Sequence, residues 1–262
     1  MAELLPQQRH QHILDELKRH GQVRVTDLAA QLGISEMTVR RDLGTLEAAG
    51  ELVKVHGGAT RQHSAASDEP GFSRKLSLQS AEKEAIARCA ARLVSPGMTV
   101  GLNSGTTTFA LARHLTGVDN LTVVTNSPRV ADVFYAADTA DGPTQTVLLT
   151  GGVRTPSDAL VGPLALGALA QLNVDLFFMG VHGVRADRGF STPNLLEAQV
   201  CHAFLASAAR TAVLADHAKW GMTGLGVIAP LDAADLYVTD DQLPATALEQ
   251  LRESVTDVIV AD

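Results

Sequence analysis

The stretch Asn103-Ser104-Gly105-Thr106-Thr107-Thr108 combines residue types that can hold an anion. It follows an apolar run, Thr99–Leu102, that reads as a strand, and it leads into a helical pattern over Thr107–Leu115. Between a strand and a helix N-terminus, main-chain N–H groups, threonine hydroxyls and the positive end of the helix dipole converge. Ser104, Gly105, Thr106 and Thr107 are therefore candidates to bind phosphate. An ordinary N-capped helix has the same spacing. No lysine follows the glycine as in a nucleotide P-loop, and GxGxxG is absent, so no nucleotide cofactor is expected.

Other strand ends carry similar groups. Thr125-Asn126-Ser127, Gly151-Gly152, Gly180-Val181-His182-Gly183 and Asp216-His217-Ala218-Lys219 each follow an apolar run, and Glu197 opens a helix. Singly, His182 reads equally well as a satisfied loop histidine and Lys219 as a solvated surface lysine. Together at one sheet edge they suggest a polar pocket for a hydroxylated, anionic ligand. The candidate effector set is Asn103 and the loop after it, with Asn126, Gly152, His182, Gly183, Glu197, Asp216 and Lys219. The same groups raise an enzymatic alternative, a sugar-phosphate isomerase with Glu197 as base and Asp216 and Lys219 assisting. No HExxH and no clustered His/Cys/Asp spacing points to a metal.

A different chemistry sits near the N-terminus. In Ser35-Glu-Met-Thr-Val-Arg-Arg-Asp-Leu, the residues Val39, Leu43 and Leu46 form an apolar stripe. That stripe leaves Glu36, Thr38, Arg40, Arg41 and Thr45 on other faces, with Ser35 as N-cap. Short polar side chains and arginines near a helix N-terminus suit the major groove, where arginine bridges guanine O6 and N7 or grips phosphate. Lys54 and His56, beside Gly57-Gly58, suit a wing against the DNA backbone. A plain three-helix bundle with solvated arginines is the alternative.

These groups need elements to hold them. Before residue 61 the pattern is helical: one helix from about Pro6, a second capped by Thr26 and running through Leu32, a break at Gly33, and a third from Ser35 to about Ala49, ended by Gly50. Leu52, Val53 and Val55 ahead of the glycine pair read as a hairpin. Helix, short helix, turn and capped helix is the helix-turn-helix order. Residues 61–71, RQHSAASDEPG, read as a linker. Beyond it a long helix is expected over Phe72–Val94, then alternating strands and helices. The expected class is α/β: a winged helix-turn-helix over 1–60, then a Rossmann-like domain over 72–262 with a mostly parallel sheet.

Composition divides along the same line. Net charge is -8, from 21 Lys+Arg against 29 Asp+Glu. Residues 1–62 hold eight of each, which leaves 13 basic and 21 acidic residues for the rest. An acidic body is repelled by DNA, so contact with nucleic acid falls to the N-terminal part. Cys89 and Cys201 are far apart and read as small core residues in a reducing cytoplasm. No signal-peptide order and no apolar run of about 18–20 residues is present, so neither export nor a membrane partner is expected.

The stretch LAAQLGISEMTVRRDLGTLEAAGELVKVHGGA resembles the N-terminal domain of the DeoR family of bacterial repressors. SGTTT, VTNS, LTGG, LVGP, FFMGVHG, GFSTPNLLEA and LADHAKWG resemble its sensor domain in order, a domain similar to ribose-5-phosphate isomerase and the coenzyme A transferases. The resemblance implies a repressor of carbohydrate metabolism that binds double-stranded operator DNA as a homo-oligomer and answers to a phosphorylated sugar. It implies that Thr38, Arg40 and Arg41 lie on the DNA-facing helix, with Asp42 structural. It implies that Ser104, Gly105, Thr106 and Thr107 hold the phosphate, and that Asn126, Gly152, Gly183, Glu197 and Lys219 line the sugar end. The family loop more often begins Asp-Ala-Gly-Thr, where this chain has Asn103-Ser104-Gly105-Thr106. The isomerase carries a lysine before its glycines, where Ala186-Asp187-Arg188-Gly189-Phe190 offers Arg188.

Overall fold

The structure, a computed structural model, describes residues 6–20, 22–49, 51–55, 57–60, 71–137 and 145–262. The chain divides into two compact units, Met1–Ala65 and Ala66–Asp262. Gly50, His56 and all of the expected linker except Gly71 lie outside the described residues.

The first unit runs α1 (Pro6–His20), β1 (Gln22–Arg24), α2 (Val25–Leu32), α3 (Glu36–Ala48), β2 (Val53–Val55) and β3 (Gly58–Thr60). Its core is Ile13 and Leu17 of α1, Val25 and Leu28 of α2, and the Val39, Leu43 and Leu46 stripe of α3. α2 stops at Gly33, whose φ of 65° an L side chain rarely adopts. The hairpin gains a third strand that the sequence pattern did not suggest: β1 pairs with β3, giving the order β1-β3-β2. Thr26 is not the cap of α2. The helix begins at Val25, with extended Arg24 before it, and Thr26 Oγ1 donates to Asp27 instead.

Asp42 fastens α1 to α3. Arg9 Nε donates to its Oδ2 at 2.8 Å and Arg9 Nη2 to its Oδ1 at 3.1 Å, while His10 Nε2 lies 3.3 Å from Oδ1. Both members of the Arg9 pair are buried. Burial alone would raise the Asp42 carboxyl, but the hydrogen bonds and charges of Arg9 and His10 outweigh it and hold the carboxyl below its ordinary value.

The second unit opens with α4 (Phe72–Ser77), α5 (Ser80–Ala91), β4 (Thr99–Leu102), α6 (Thr106–Leu115), β5 (Thr122–Thr125), α7 (Pro128–Ala136) and β6 (Thr146–Leu149). It continues through β7 (Val153–Arg154), β8 (Leu160–Val161), α8 (Pro163–Leu169), β9 (Leu176–Gly180), β10 (Gly183–Arg185) and β11 (Gly189–Thr192). Then come α9 (Leu195–Ser207), β12 (Thr211–Leu214), β13 (Gly226–Ala229), β14 (Leu236–Asp240), α10 (Ala245–Ser254) and β15 (Asp257–Ala261). A seven-stranded parallel sheet has the order β15-β14-β12-β9-β4-β5-β6. From β4 the chain moves outward one way through β5 and β6, then the other way from β9, so the order reverses between β4 and β9. Ligands of open parallel sheets bind at such a reversal, outside the carboxyl ends of the strands.

Alternate strand residues feed two cores. Phe177, Met179 and Tyr237 pack with α8, α9 and α10, whereas Leu176, Phe178 and Val238 pack with α5, α6 and α7. The expected single helix over Phe72–Val94 is two. Leu78 is extended and Gln79 has a φ of 46°, which separates α4 from α5. Lys83 accounts for the break: its buried Nζ donates to the carbonyls of Lys75 at 2.6 Å and Leu78 at 2.5 Å. Those carbonyls belong to the turn that a continuous helix would have used internally. The pairs β7–β8 and β10-β11-β13 are further additions, made of short segments at the carboxyl edge.

Removing one partner of a buried ion pair leaves an uncompensated charge. Arg9→Met should therefore lower the stability of the first unit by about 3–5 kcal/mol. A depressed carboxyl contributes stability that is present above its unfolded pKa, about 3.9, and is lost as pH falls through the folded value. The cost of Arg9→Met should accordingly shrink progressively as pH falls below about 3.9. Calorimetry across pH, with the transition of the second unit as internal control, checks both statements.

Candidate functional site

The structure brings the two ends of the strand-order reversal together through one side chain. Asn103, just past β4 and almost fully buried, donates from Nδ2 to the Gly180 carbonyl and accepts the Gly180 N–H at Oδ1, both at 2.8 Å. An amide, unlike a carboxylate, can donate and accept in this pair at once. Cys201 receives a longer contact from the same Nδ2, 3.4 Å. Burial pushes the Cys201 thiol up to about 12, so it remains a protonated, apolar wall.

Around this clamp lies a cleft lined by Asn103, Ser104, Gly105, Thr106, Thr107, Asn126, His182, Glu197 and Lys219, all expected from the sequence. The loop after Asn103 is fixed from both sides. Ser104 N donates to Asn126 Oδ1 at 3.0 Å, Ser104 Oγ donates to the Ser157 carbonyl at 3.1 Å, and Thr108 Oγ1 donates to the carbonyls of Asn103 and Gly105. Thr106 and Thr107 open α6 facing the cleft, and the first N–H groups of a helix have no partner within it. That is the donor arrangement a phosphate needs.

The remaining polar groups reach the cleft from other strand ends. Glu197, in the first turn of α9, accepts hydrogen bonds at Oε1 from Thr155 Oγ1 at 2.7 Å and from Ser157 Oγ. Lys219 sits on a short 3-10 turn that Asp216 and Asp240 hold: Asp216 Oδ1 accepts Ala218 N–H, while Asp240 accepts His217 N–H and bonds His217 Nδ1 at 2.8 Å. His182 is pushed down to about 4, first by burial and then by the positive charges of Lys219 and Lys75. At neutral pH this end of the cleft holds a neutral imidazole facing two cations.

Three expected effector residues lie outside the lining. Gly152 has a φ of 123°, and a Cβ there would stand 2.4 Å from the Val161 carbonyl oxygen, so it serves the close approach of β7 to β8. A Cβ on Gly183 would stand 2.4 Å from the Met222 carbonyl oxygen, again a packing requirement. Asp216 is buried behind Lys219 as a turn cap. Phe72, Lys75, Ser157, Val181, Thr192 and Ile228 line the cleft but were not foreseen. Val181 and Thr192 lie in stretches quoted above, and Ser157 sits in the hydroxyl-rich turn Thr155-Pro156-Ser157-Asp158 after β7. Arg188, weighed above for isomerase chemistry, is exposed beside Asp187 and does not line the cleft.

In the first unit, Ser35 caps α3 as expected, accepting Thr38 N–H at 3.2 Å, and its hydroxyl also meets Thr38 Oγ1 at 2.9 Å. Arg40 Nη2 pairs with Glu36 Oε2 at 2.7 Å along the helix. Arg41 projects opposite the Val39–Leu43–Leu46 stripe, given roughly 100° per residue, and pairs with no acidic side chain among the described residues. Thr45 is exposed one turn on, its hydroxyl bonded to the Arg41 carbonyl. Met37, also one turn from Arg41 and 72% exposed, is an addition suited to a thymine methyl. Lys54 is exposed on β2, its N–H bonded to Glu47 Oε1 and its Nζ 4.0 Å from Glu47 Oε2. His56 falls outside the described residues.

A helix-turn-helix with a wing, followed by a parallel-sheet domain with a polar cleft at its strand ends, fits a ligand-responsive DNA-binding regulator. The chain belongs to the DeoR family: residues 9–65 match the DeoR-like helix-turn-helix domain and residues 78–241 the DeoR C terminal sensor domain. It is a sequence-specific DNA-binding transcriptional regulator rather than an enzyme. A protein of Escherichia coli O157:H7, provisionally named aga operon transcriptional repressor, is 34% identical over 97% of this chain and 93% of its own length. The regulator GlpR of Haloferax volcanii is 32% identical over 98% of both chains. The glycerol-3-phosphate regulon repressor of Escherichia coli K12 is 27% identical over 94% of this chain and 95% of that one. Among solved structures, ribose 5-phosphate isomerase A from Methanocaldococcus jannaschii has a TM-score of 0.39 over 54% of this chain and 55% of that one, at 17% identity. A likeness that distant brings no chemistry to this site. No helix of the described residues is long and apolar enough to cross a membrane, and no group of three or more His, Cys, Asp or Glu side chains placed to hold a metal ion occurs among them.

His182 supplies a test of the cleft's electrostatics. Its ring should titrate near pH 4 in the free protein. Lys219→Met removes one repelling charge and should raise that value, yet leave it below 6.5 because burial, the larger cause, persists. Histidine-resolved NMR titration of both proteins reads this directly. An unchanged value in the variant would put Lys219 away from the imidazole.

Proposed function

We propose that this regulator is a repressor of a carbohydrate-metabolism operon, released from its operator when a phosphorylated sugar enters the cleft of the second unit. It acts in the cytoplasm as a symmetric homo-oligomer. The observation that carries the reading is the cleft itself. Neutral donors of Thr106 and Thr107 stand at a helix N-terminus on a loop that Ser104 fixes, Lys219 adds countercharge, and Asn126 and Glu197 supply hydroxyl-binding groups. Support comes from relatives named for the aga operon and the glycerol-3-phosphate regulon.

Two reading heads related by a twofold axis place their α3 helices in successive major grooves about 34 Å apart. Arg41, Thr38, Thr45 and Met37 face base edges, while Ser35, Glu36, Arg40, Lys54 and His56 set the helix and wing against the backbone. The effector acts only through different affinity for two states of the assembly, one matched to the operator and one not.

Arg41→Ala should weaken operator binding by about 1–3 kcal/mol, and Lys54→Ala should weaken all sequences alike and flatten the salt dependence. Gel shifts on the region upstream of the regulated genes measure both. Loss of selectivity in Lys54→Ala, with none in Arg41→Ala, would reverse the assigned roles.

Gly105→Val places a branched side chain against Thr108 Oγ1, which a Cβ already approaches to 3.2 Å, and toward Gly180 across the cleft. That variant should form the operator complex and fail to release it with any sugar phosphate. Unphosphorylated sugars should bind the wild type far more weakly than their esters, because each buried donor left unmet costs about 1–3 kcal/mol. Equal action of free sugars, or a normal response in Gly105→Val, would remove phosphate from the cleft.

A further inference from the structure

Most of the cleft comes from strand ends of the sheet, but two lining residues do not. Phe72 and Lys75 belong to α4, a six-residue helix that directly follows residues 61–70 in the chain. α4 is not an extension of α5, because the backbone turns at Leu78 and Gln79. It is held by three contacts of different kinds. Phe72 packs edge-on against Phe109 of α6, with centroids 5.5 Å apart. The Arg129 guanidinium covers the Phe72 ring at 5.4 Å and is itself bonded to Asp158, next to the cleft residue Ser157. Lys83 grips the Lys75 and Leu78 carbonyls from below.

The charges make this arrangement responsive to an anion. Lys75 approaches from α4 and Lys219 from the turn after β12, and both repel a proton on His182. Lys83 adds a third cation close by, its pKa lowered to about 8 chiefly by burial, with the Asp216 carboxylate opposing that shift and Lys219 and Lys75 adding to it. Cations converging from separate elements on one end of the cleft favour the entry of an anion there. A dianion therefore favours the arrangement with α4 drawn in, and by linkage that arrangement favours the dianion. A single short helix has little stability of its own, so its position is set by what its side chains touch.

We propose that Lys75 is an effector-binding residue and that α4 is a strap, drawn onto the cleft by a bound phosphate ester. This rests on the phosphate-binding reading of the cleft. Phe72 acts as the pivot and Lys83 as the anchor, so ligand contact at Lys75 is converted into movement of α4.

Hydrogen exchange on the full chain, with mass detection, separates the two claims. The ligands are fructose 1-phosphate, fructose 6-phosphate, glucosamine 6-phosphate, glycerol 3-phosphate and inorganic phosphate. A ligand that protects residues 103–107 should also slow exchange over residues 72–79 by about tenfold. In Lys75→Gln the loop should still be protected at higher ligand concentration while 72–79 is not, and Lys75→Arg should restore the effect. Protection of 103–107 with no change over 72–79, or full protection of 72–79 in Lys75→Gln, overturns the strap while leaving the site. If no ligand in the set protects 103–107, the phosphate reading of the cleft falls and the strap falls with it.

Discussion

The second unit depends on a single amide. At the reversal of strand order, the carboxyl ends of β4 and β9 must diverge enough to admit a ligand yet stay fixed enough to recognise it. Asn103 meets both demands by bonding the N–H and carbonyl of Gly180 simultaneously. A carboxylate at this position would face the Gly180 carbonyl with lone pairs only, and would need a proton to make the same pair. The amide also keeps a negative charge out of the loop that is to receive an anion. The difference from the usual Asp-Ala-Gly-Thr opening is thus coherent with the geometry: an amide at this position makes the pair with Gly180 without bringing a charge.

From that clamp the other site residues follow as supports or contacts. Asn126 holds Ser104 from β5, Thr108 ties the loop to itself, and Ser157 closes over Ser104 while sharing Glu197 with Thr155. Glu197 is consequently an acceptor already oriented by two hydroxyls, suited to hydrogen-bond a ligand hydroxyl. Of the groups weighed for proton shuttling, Glu197 and Lys219 line the cleft, whereas Asp216 caps a turn and Arg188 pairs with Asp187 in the open.

Sequence spacing was sufficient wherever function depends on local order. Ser35 had to cap α3, the glycine and hydroxyls had to precede α6, and the parallel sheet had to gather its strand ends at one edge. Spacing failed where one residue type serves two purposes. Gly152 and Gly183 stand at strand ends like site glycines, yet they are required because Val161 and Met222 carbonyls press against them. It failed also where the determinant is remote in space. Nothing near Leu78 announces a helix break, because the reason is the buried ammonium of Lys83 one turn further along, taking carbonyls out of the helical ladder. Lys75 and Phe72 were missed for the same cause: without the break, a continuous helix gives them no reason to face the cleft. Asp42 was legible only by exclusion, as a carboxylate ill-suited to phosphate, until Arg9 and His10 appeared beside it.

Charge explains how one chain can address two polyanions of different size. The chain carries a net -8, and residues 1–62 are neutral, so most of the surface repels DNA. Repulsion of that kind is screened beyond a Debye length, about 8 Å at physiological salt. What remains within that range is local: Arg41 on the face of α3 opposite the core, and, in the second unit, Lys75 and Lys219 near His182 with Lys83 near both lysines. The sensor cations are partly or fully desolvated, which strengthens their pull on a small dianion in a cleft while offering little to a phosphate backbone outside it. DNA is left to the helix and the wing. On the proposed reading the acidic balance of the second unit sorts the ligands by size: a sugar phosphate enters among the lysines, and a duplex meets the helix and wing of the first unit.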